Sequence, residues 1–303
     1  MRRAEITLLV IAAIWGTTFA LLRDTMRVLH PFELMALRFT LATVILGGIY
    51  WKRLVPLRAG WLRDGLWLGV WLTLGYLTQV IGLLTVTASR SAFITSTYVV
   101  FTPFVAWIVL RSRPALGEFL AVAIVFVGLS RFSNDARLSL GPGEIWTLGC
   151  ALSFAIQMVV THVVAKRHDP IALSVVQMAV AALVGWILVA ARGGFRPAMS
   201  EVPWGVLLYL AALATAFVIA LQTWALPRTT SVKAALLFST EPLFAAAFAT
   251  AFFGERMTGR EIAGAALVMA GVLWSELWRP AVARINARRS PEAARSPEER
   301  GRS

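Results

Sequence analysis

The sequence predicts an all-α integral membrane protein, with ten transmembrane helices arranged as two inverted five-helix repeats. Three observations predict it. The 303 residues are 58% hydrophobic and only 15% charged, with a mean hydropathy of +0.71. Soluble domains carry about 25% charged residues. Apolar runs of roughly 18–23 residues recur between short polar breaks, the length that crosses a hydrocarbon core of about 30 Å. Prolines, glycines and polar residues in the first half recur at a constant offset in the second.

The apolar runs place spans at approximately 5–22, 32–50, 65–84, 91–110, 115–132, 143–164, 170–190, 204–225, 231–253 and 260–278. Arg2 and Arg3 resemble the start of a signal peptide. The apolar region continues through Ile14-Trp15-Gly16 without a small-x-small cleavage site, so it is read as a span. Ten spans put both termini on one side. That side carries 19 Lys and Arg, and the opposite loops carry 9. The positive-inside rule therefore predicts that both termini are cytoplasmic; the location expected is a bacterial-type inner membrane, with the chain multi-pass. Residues 279–303 contain a short RSPE duplication and few apolar residues, and are expected to be a disordered basic tail. Its Arg279, Arg284, Arg288 and Arg289 would sit beside anionic lipid heads of the bilayer.

The repeat is written in the offsets. At 139 residues, His30-Pro31 falls on Asp169-Pro170, Arg38 on Gln177, and Thr102-Pro103-Phe104 on Glu241-Pro242-Leu243. At 143, Gly117-Glu118 falls on Arg260-Glu261 and Gly128 on Gly271, the longer Gly254-Glu255-Arg256 loop absorbing the difference. The halves are then 1–135 and 136–278, each with five spans. An odd number makes the second half cross in the opposite sense, the inverted topology that secondary transporters build around a midplane site.

Polar groups inside the spans mark that site. Glu241 lies about ten residues into its span, or roughly 15 Å deep, where an exposed charge is expensive. Pro242 leaves the Phe238 carbonyl without its helical donor. Glu241 reads either as a substrate or proton site or as a structural carboxylate. Ser91, Thr95, Tyr98 and Thr102 follow one helical face and either line a cavity or bind a neighbouring helix. Tyr76 and Gln79, Ser153 and Gln157, and Gln222 are cavity candidates or interhelical glue. Trp15, Tyr98 and Phe238 offer stacking surfaces, and Thr18 follows Trp15 on the first span. Arg38 and Lys233 are expected to snorkel to opposite interfaces, Arg38 alternatively meeting helix-end carbonyls or attracting an anion. Trp51, Trp61, Trp146, Trp204 and Trp278 read as interfacial anchors. Cys150 reads as a small core residue.

Three stretches carry a family resemblance: IWGTTFA at 14–20, ALRFTLA at 36–42, and FSTEPLFAAAFATAFFGERMTGREIAGAALVMAGVL at 238–273. Over residues 5–278 the chain resembles EamA-type members of the drug/metabolite transporter superfamily. The resemblance implies ten helices in two inverted repeats and export of small metabolites such as amino acids. The substrate-binding candidates are Trp15, Thr18, Tyr76, Gln79, Thr95, Tyr98, Thr102, Ser153, Gln157, Gln222, Phe238 and Glu241. Their polarity suits neutral or zwitterionic cargo moved by alternating access, with protons as the candidate coupling ion.

Other functions find little support in the sequence. The formal charge of +13 sits in short loops and the tail, a membrane-topology pattern rather than a nucleic-acid surface. One cysteine and three histidines provide no metal cluster, and no phosphate-binding loop occurs. No cofactor is expected. An intramembrane enzyme would need a nucleophile and base that the spans do not pair, and a non-transporting scaffold would need neither the repeat nor the midplane polar groups.

Overall fold

The structure, a computed structural model, describes residues 3–55, 58–111, 115–131, 141–253 and 258–289. Its elements run α1 (Arg3–Gly16), α2 (Thr18–Thr25), α3 (Pro31–Ile49), α4 (Trp51–Leu54), α5 (Ala59–Gly82), α6 (Ala88–Ser96), α7 (Tyr98–Leu110) and α8 (Leu116–Ser130). After these come α9 (Pro142–Val164), α10 (Pro170–Ala191) and α11 (Trp204–Leu208), then a π-helical segment (Tyr209–Phe217), α12 (Val218–Ala225) and a 3₁₀ turn (Leu226–Arg228). The chain closes with α13 (Ser231–Phe238), α14 (Glu241–Phe253) and α15 (Gly259–Arg289). No strand occurs among the described residues.

Eight helical stretches are long and apolar enough to cross a membrane: 3–25, 31–49, 59–82, 90–110, 142–164, 170–191, 204–228 and 231–248. The other two expected spans correspond to shorter apolar helices, Leu116–Ser130 and Ile262–Ser275. Large apolar side chains such as Val44, Ile49, Ile108 and Leu183 point outward on these helices, as a surface solvated by lipid tails allows. The chain is a multi-pass membrane protein.

Helix starts explain two of the offset pairs. His30 caps α3 by accepting from the Phe32 N–H, while Glu33 accepts from the His30 N–H. Asp169 caps α10 by accepting from Ile171 and Ala172. Each cap precedes a proline at the first helical position, where a missing N–H costs nothing. These two helices pack antiparallel: Gly185 lies against Ala36, and Gly47 against Val175. Helices α8 and α15 do the same, with Gly128 against Gly264 and Val268, and Gly117 against Trp278.

Two expectations fail here. The tail is helical as far as Arg289, because Ala281, Ala283, Ala287 and the interspersed arginines are good helix formers. Residues 290–303, with the RSPE duplication, lie outside the described residues, as does the 254–257 loop. Trp61 is no interfacial anchor: it is buried in a cluster with Ala165, Ala172 and Leu173. Trp51, Trp146 and Trp204 are exposed.

Candidate functional site

Among the described residues three crossings are interrupted by turns, at Thr17, at Thr97 and at Ser239-Thr240. At each interruption a hydroxyl takes a carbonyl from the preceding turn: Thr17 donates to Ile14 O (2.8 Å), Thr97 to Ile94 O (2.6 Å), Thr240 to Leu237 O (2.7 Å) and Ser239 to Ala235 O (2.8 Å). Inside a bilayer such bonds replace the water that would otherwise satisfy a broken helix. Glu241 opens α14, with Pro242 at its second position. The Glu-Pro pair therefore marks a helix start at depth.

A cavity of about 40 Å³ lies at these interruptions. Ten of the twelve candidates line it: Trp15, Thr18, Tyr76, Gln79, Thr95, Tyr98, Gln157, Gln222, Phe238 and Glu241. The space holds a few waters, so this conformer is contracted around its polar groups. Trp15 and Phe238 pack with ring centroids 5.4 Å apart, and Tyr76 packs edge-on to Phe154 at 5.2 Å. Glu241 is 6% exposed and has neither a hydrogen bond nor an ion pair among the described residues. The Tyr98 hydroxyl is likewise buried without a partner.

The glutamines divide into two roles. Gln157 Nε2 donates to Gln177 Oε1 at 3.0 Å, Gln222 Nε2 reaches Gln157 Oε1 at 3.5 Å, and Gln177 Nε2 donates to Thr223 at 3.3 Å. That network ties α9, α10 and α12 together, and its Gln157 and Gln222 also line the cavity. Gln79 also lines the cavity and makes no side-chain hydrogen bond among the described residues.

Two candidates lie elsewhere. Thr102 is fully buried and donates to Tyr98 O (2.7 Å), and Ser153 donates to Gly149 O (2.8 Å). The stripe that joined Ser91 to Thr102 breaks at Thr97, so only Thr95 and Tyr98, flanking the break, reach the cavity. On α9 the cavity side is Phe154, Gln157 and Met158.

Arg38 corrects the snorkelling expectation. It is 2% exposed and lines the cavity. Its Nε donates to Thr215 Oγ1 at 2.6 Å and its Nη2 to Ala214 O at 3.3 Å, and the guanidinium lies 4.9 Å from the Tyr76 ring centroid. Sequence depth alone missed it, along with Phe19, Leu22, Leu72, Phe154 and Met158. Lys233 lies part-exposed at one end of the bundle, as expected, and pairs there with the buried Glu5 across α13 and α1.

Ion pairs sit toward both ends. Arg53–Asp169 (3.4 Å) lies at the end that holds Glu5–Lys233, where the His168 ring also hydrogen-bonds Asp64 (3.0 Å), and Arg90–Glu144 (3.0 Å) lies at the other. Among the described residues no cluster of three or more His, Cys, Asp or Glu could hold a metal ion.

The sequence profile of the EamA-like transporter family matches residues 2–133 and again 141–276. The chain belongs to that family. An uncharacterized transporter of Archaeoglobus fulgidus is 30% identical over 274 residues, covering 89% of this chain and 84% of the relative. A second from the same organism is 26% identical, covering 86% and 92%. The uncharacterized transporter YwfM of Bacillus subtilis is 27% identical over 180 residues, covering 55% and 57%. A solved crystal structure superposes with a TM-score of 0.75 at 16% identity, covering 93% of this chain and 99% of the other. It is similar in fold.

Proposed function

We propose that this membrane transporter is a secondary carrier that exports small neutral or zwitterionic metabolites, such as amino acids or related compounds, by alternating access. One observation carries the reading. The cavity at three interrupted helices joins aromatic walls to a carboxylate, Glu241, that has no partner among the described residues. Discontinuous helices at midplane depth are how carriers expose polar backbone and side chains to cargo. A buried carboxylate kept at that depth invites a cationic group or a proton.

The two-halves reading draws support from the family profile, which matches once in each half. The antiparallel packing of the offset-related helices α3 and α10, and of α8 and α15, supports an inverted relation between them. Ion pairs toward both ends of the bundle are the contacts that such halves would exchange on rocking. The basic-residue asymmetry supports cytoplasmic termini in an inner membrane.

The test is counterflow in proteoliposomes. A carrier shows saturable uptake accelerated by cargo on the far side; a channel shows neither. Glu241→Gln keeps the shape and is expected to reduce flux by about tenfold or more, the scale of one lost charge-assisted contact. A folded Glu241→Gln protein with wild-type flux at every pH tested would show the carboxylate to be structural.

A further inference from the structure

Arg38 is a cation at membrane depth whose described partners are all neutral: a threonine hydroxyl, a backbone carbonyl and a tyrosine ring. No carboxylate lies within 4 Å of it among the described residues; Glu241 lines the same cavity without forming an ion pair to it. A buried charge without a counter-ion is destabilising, and intramembrane arginines normally find an anion, water or lipid heads.

The surroundings hold this cation in place. The π-helical segment Tyr209–Phe217 supplies both of its hydrogen-bond acceptors. Ala214 O accepts from Trp15 Nε1 at 3.1 Å as well as from Arg38 Nη2. Thr215 donates its hydroxyl hydrogen to Leu210 O at 2.7 Å, leaving its oxygen to accept from Arg38 Nε. Donor and acceptor polarity is thus fixed around the guanidinium. Two bonds use a minority of its N–H groups, and the residue lines the cavity with the rest.

Resting on the carrier reading above, we infer that Arg38 is the anion-reading pole of the cavity. It engages the carboxylate of the cargo and orients the molecule between α3 and Glu241 on α14. Arg38 and Glu241 come from different halves of the chain, so a cargo bearing a carboxylate at one end and an ammonium at the other would bridge them. The aromatic walls, Trp15, Phe19, Phe154 and Phe238, would take an apolar body. One cation facing one carboxylate gives a phosphate dianion a single counter-charge and a repelling neighbour, whereas a zwitterion satisfies both. In the contracted conformer the cavity is too small for such a molecule, so the contact forms as the halves part.

The experiment uses matched probes in proteoliposomes of the full chain: L-leucine with L-leucinamide, and L-phenylalanine with L-phenylalaninamide. Each amide keeps the ammonium and the side chain and loses the carboxylate. The wild-type protein is expected to prefer the acid by about tenfold or more in flux at limiting cargo. Arg38→Gln is expected to bring the ratio near unity. Arg38→Lys keeps the charge but not the planar fork, and is expected to retain part of the preference. The ratio is independent of how much protein folds, and Arg38→Lys provides the answer if Arg38→Gln does not assemble. Wild-type flux indifferent to the carboxylate, or an unchanged ratio in both Arg38 variants, would overturn the assignment. A uniform fall of both fluxes would do the same, making Arg38 a strut between α3 and the π segment. Absence of saturable flux for every probe would remove the proposal together with the carrier reading for these cargo classes, whereas saturable flux without carboxylate preference leaves the carrier reading standing.

Discussion

Gly16→Ala tests whether the close approach of α1 and α14 positions Glu241. A Cβ at Gly16 would lie 2.9 Å from Glu241 O, 2.9 Å from Ala245 N and 3.0 Å from Phe244 Cβ. Two of these are backbone atoms, so no side-chain rotation relieves the contact. Ordinary non-bonded separations are about 3.5–4.0 Å between carbons, so the start of α14 must retreat by roughly half an ångström or more. Overpacking of this kind costs about 1–3 kcal/mol, against a helix-propensity gain of at most about 1 kcal/mol. Gly48→Ala supplies the control, since nothing lies within 4 Å of that site and it faces outward. Thermal unfolding in detergent should show Gly16→Ala lowered by a few degrees and Gly48→Ala level or raised. Counterflow should fall further in Gly16→Ala than its stability loss accounts for, because a carboxylate shifted by a fraction of an ångström loses its placement. Wild-type melting and flux in Gly16→Ala would refute the close approach. Equal losses in both variants would refute the attribution to Glu241.

Two further perturbations follow from the ends of the bundle. Lys233→Met removes the cation facing the buried Glu5, and should destabilise more than the double variant Glu5→Gln/Lys233→Met. A coupling of about 1 kcal/mol is expected in a double-mutant cycle read by unfolding, and strict additivity would show the pair to be inert. His30 caps α3 through its neutral ring; burial first, then the Arg192 charge, hold its pKa below 6.5 against the raising effect of Glu33, with Arg196 also lowering it. A depressed folded pKa means the cap's contribution is complete above the unfolded value near 6.5 and is lost as pH falls through the folded value. His30→Asn keeps an acceptor without a titrating group, so its melting temperature should change less than wild type across that acidic window; parallel curves would contradict the cap.

The apolar runs, the N-cap-proline pairs and the glutamate-proline helix start are local signals, and they were legible in sequence. Glu241 could be located because a carboxylate inside an apolar run has so few neutral explanations. Arg38 was legible only as a choice between snorkelling, helix-end carbonyls and an anion, because depth along one helix says nothing about acceptors supplied by another. Its partners, Ala214 and Thr215, lie in a π segment that no periodicity in YLAALATAF announces, since alanine and leucine favour an ordinary helix. Thr102 and Ser153 failed differently. Each hydroxyl donates back to the carbonyl four residues earlier, so its presence in the span is accounted for without a cavity, and helical-face counting assumes an unbroken helix that Thr97 interrupts.

The interruptions and the cavity are one physical feature. A helix break in hydrocarbon must satisfy its freed backbone groups locally, and Thr17, Thr97, Ser239 and Thr240 do so with short bonds to preceding carbonyls. Those hydroxyls give their donors to structure, whereas three groups lining the cavity, Tyr98, Glu241 and Gln79, make no such bond among the described residues and are left for recognition. Arg38 stands between the two sets, since it spends two donors on the π segment and keeps the others. The same residue thereby links the cavity to the least regular stretch of the bundle. A cargo carboxylate competing for that guanidinium would loosen Ala214 and Thr215, and with them the contact of α3 and α1 to the 204–228 crossing. On this reasoning Thr215→Val, which removes the Nε acceptor while preserving shape and charge, should leave the acid preference in place and change the rate at which bound cargo exchanges. Single-turnover uptake at saturating L-leucine checks it: a rate equal to wild type would detach the π segment from the transport cycle and leave it a packing defect.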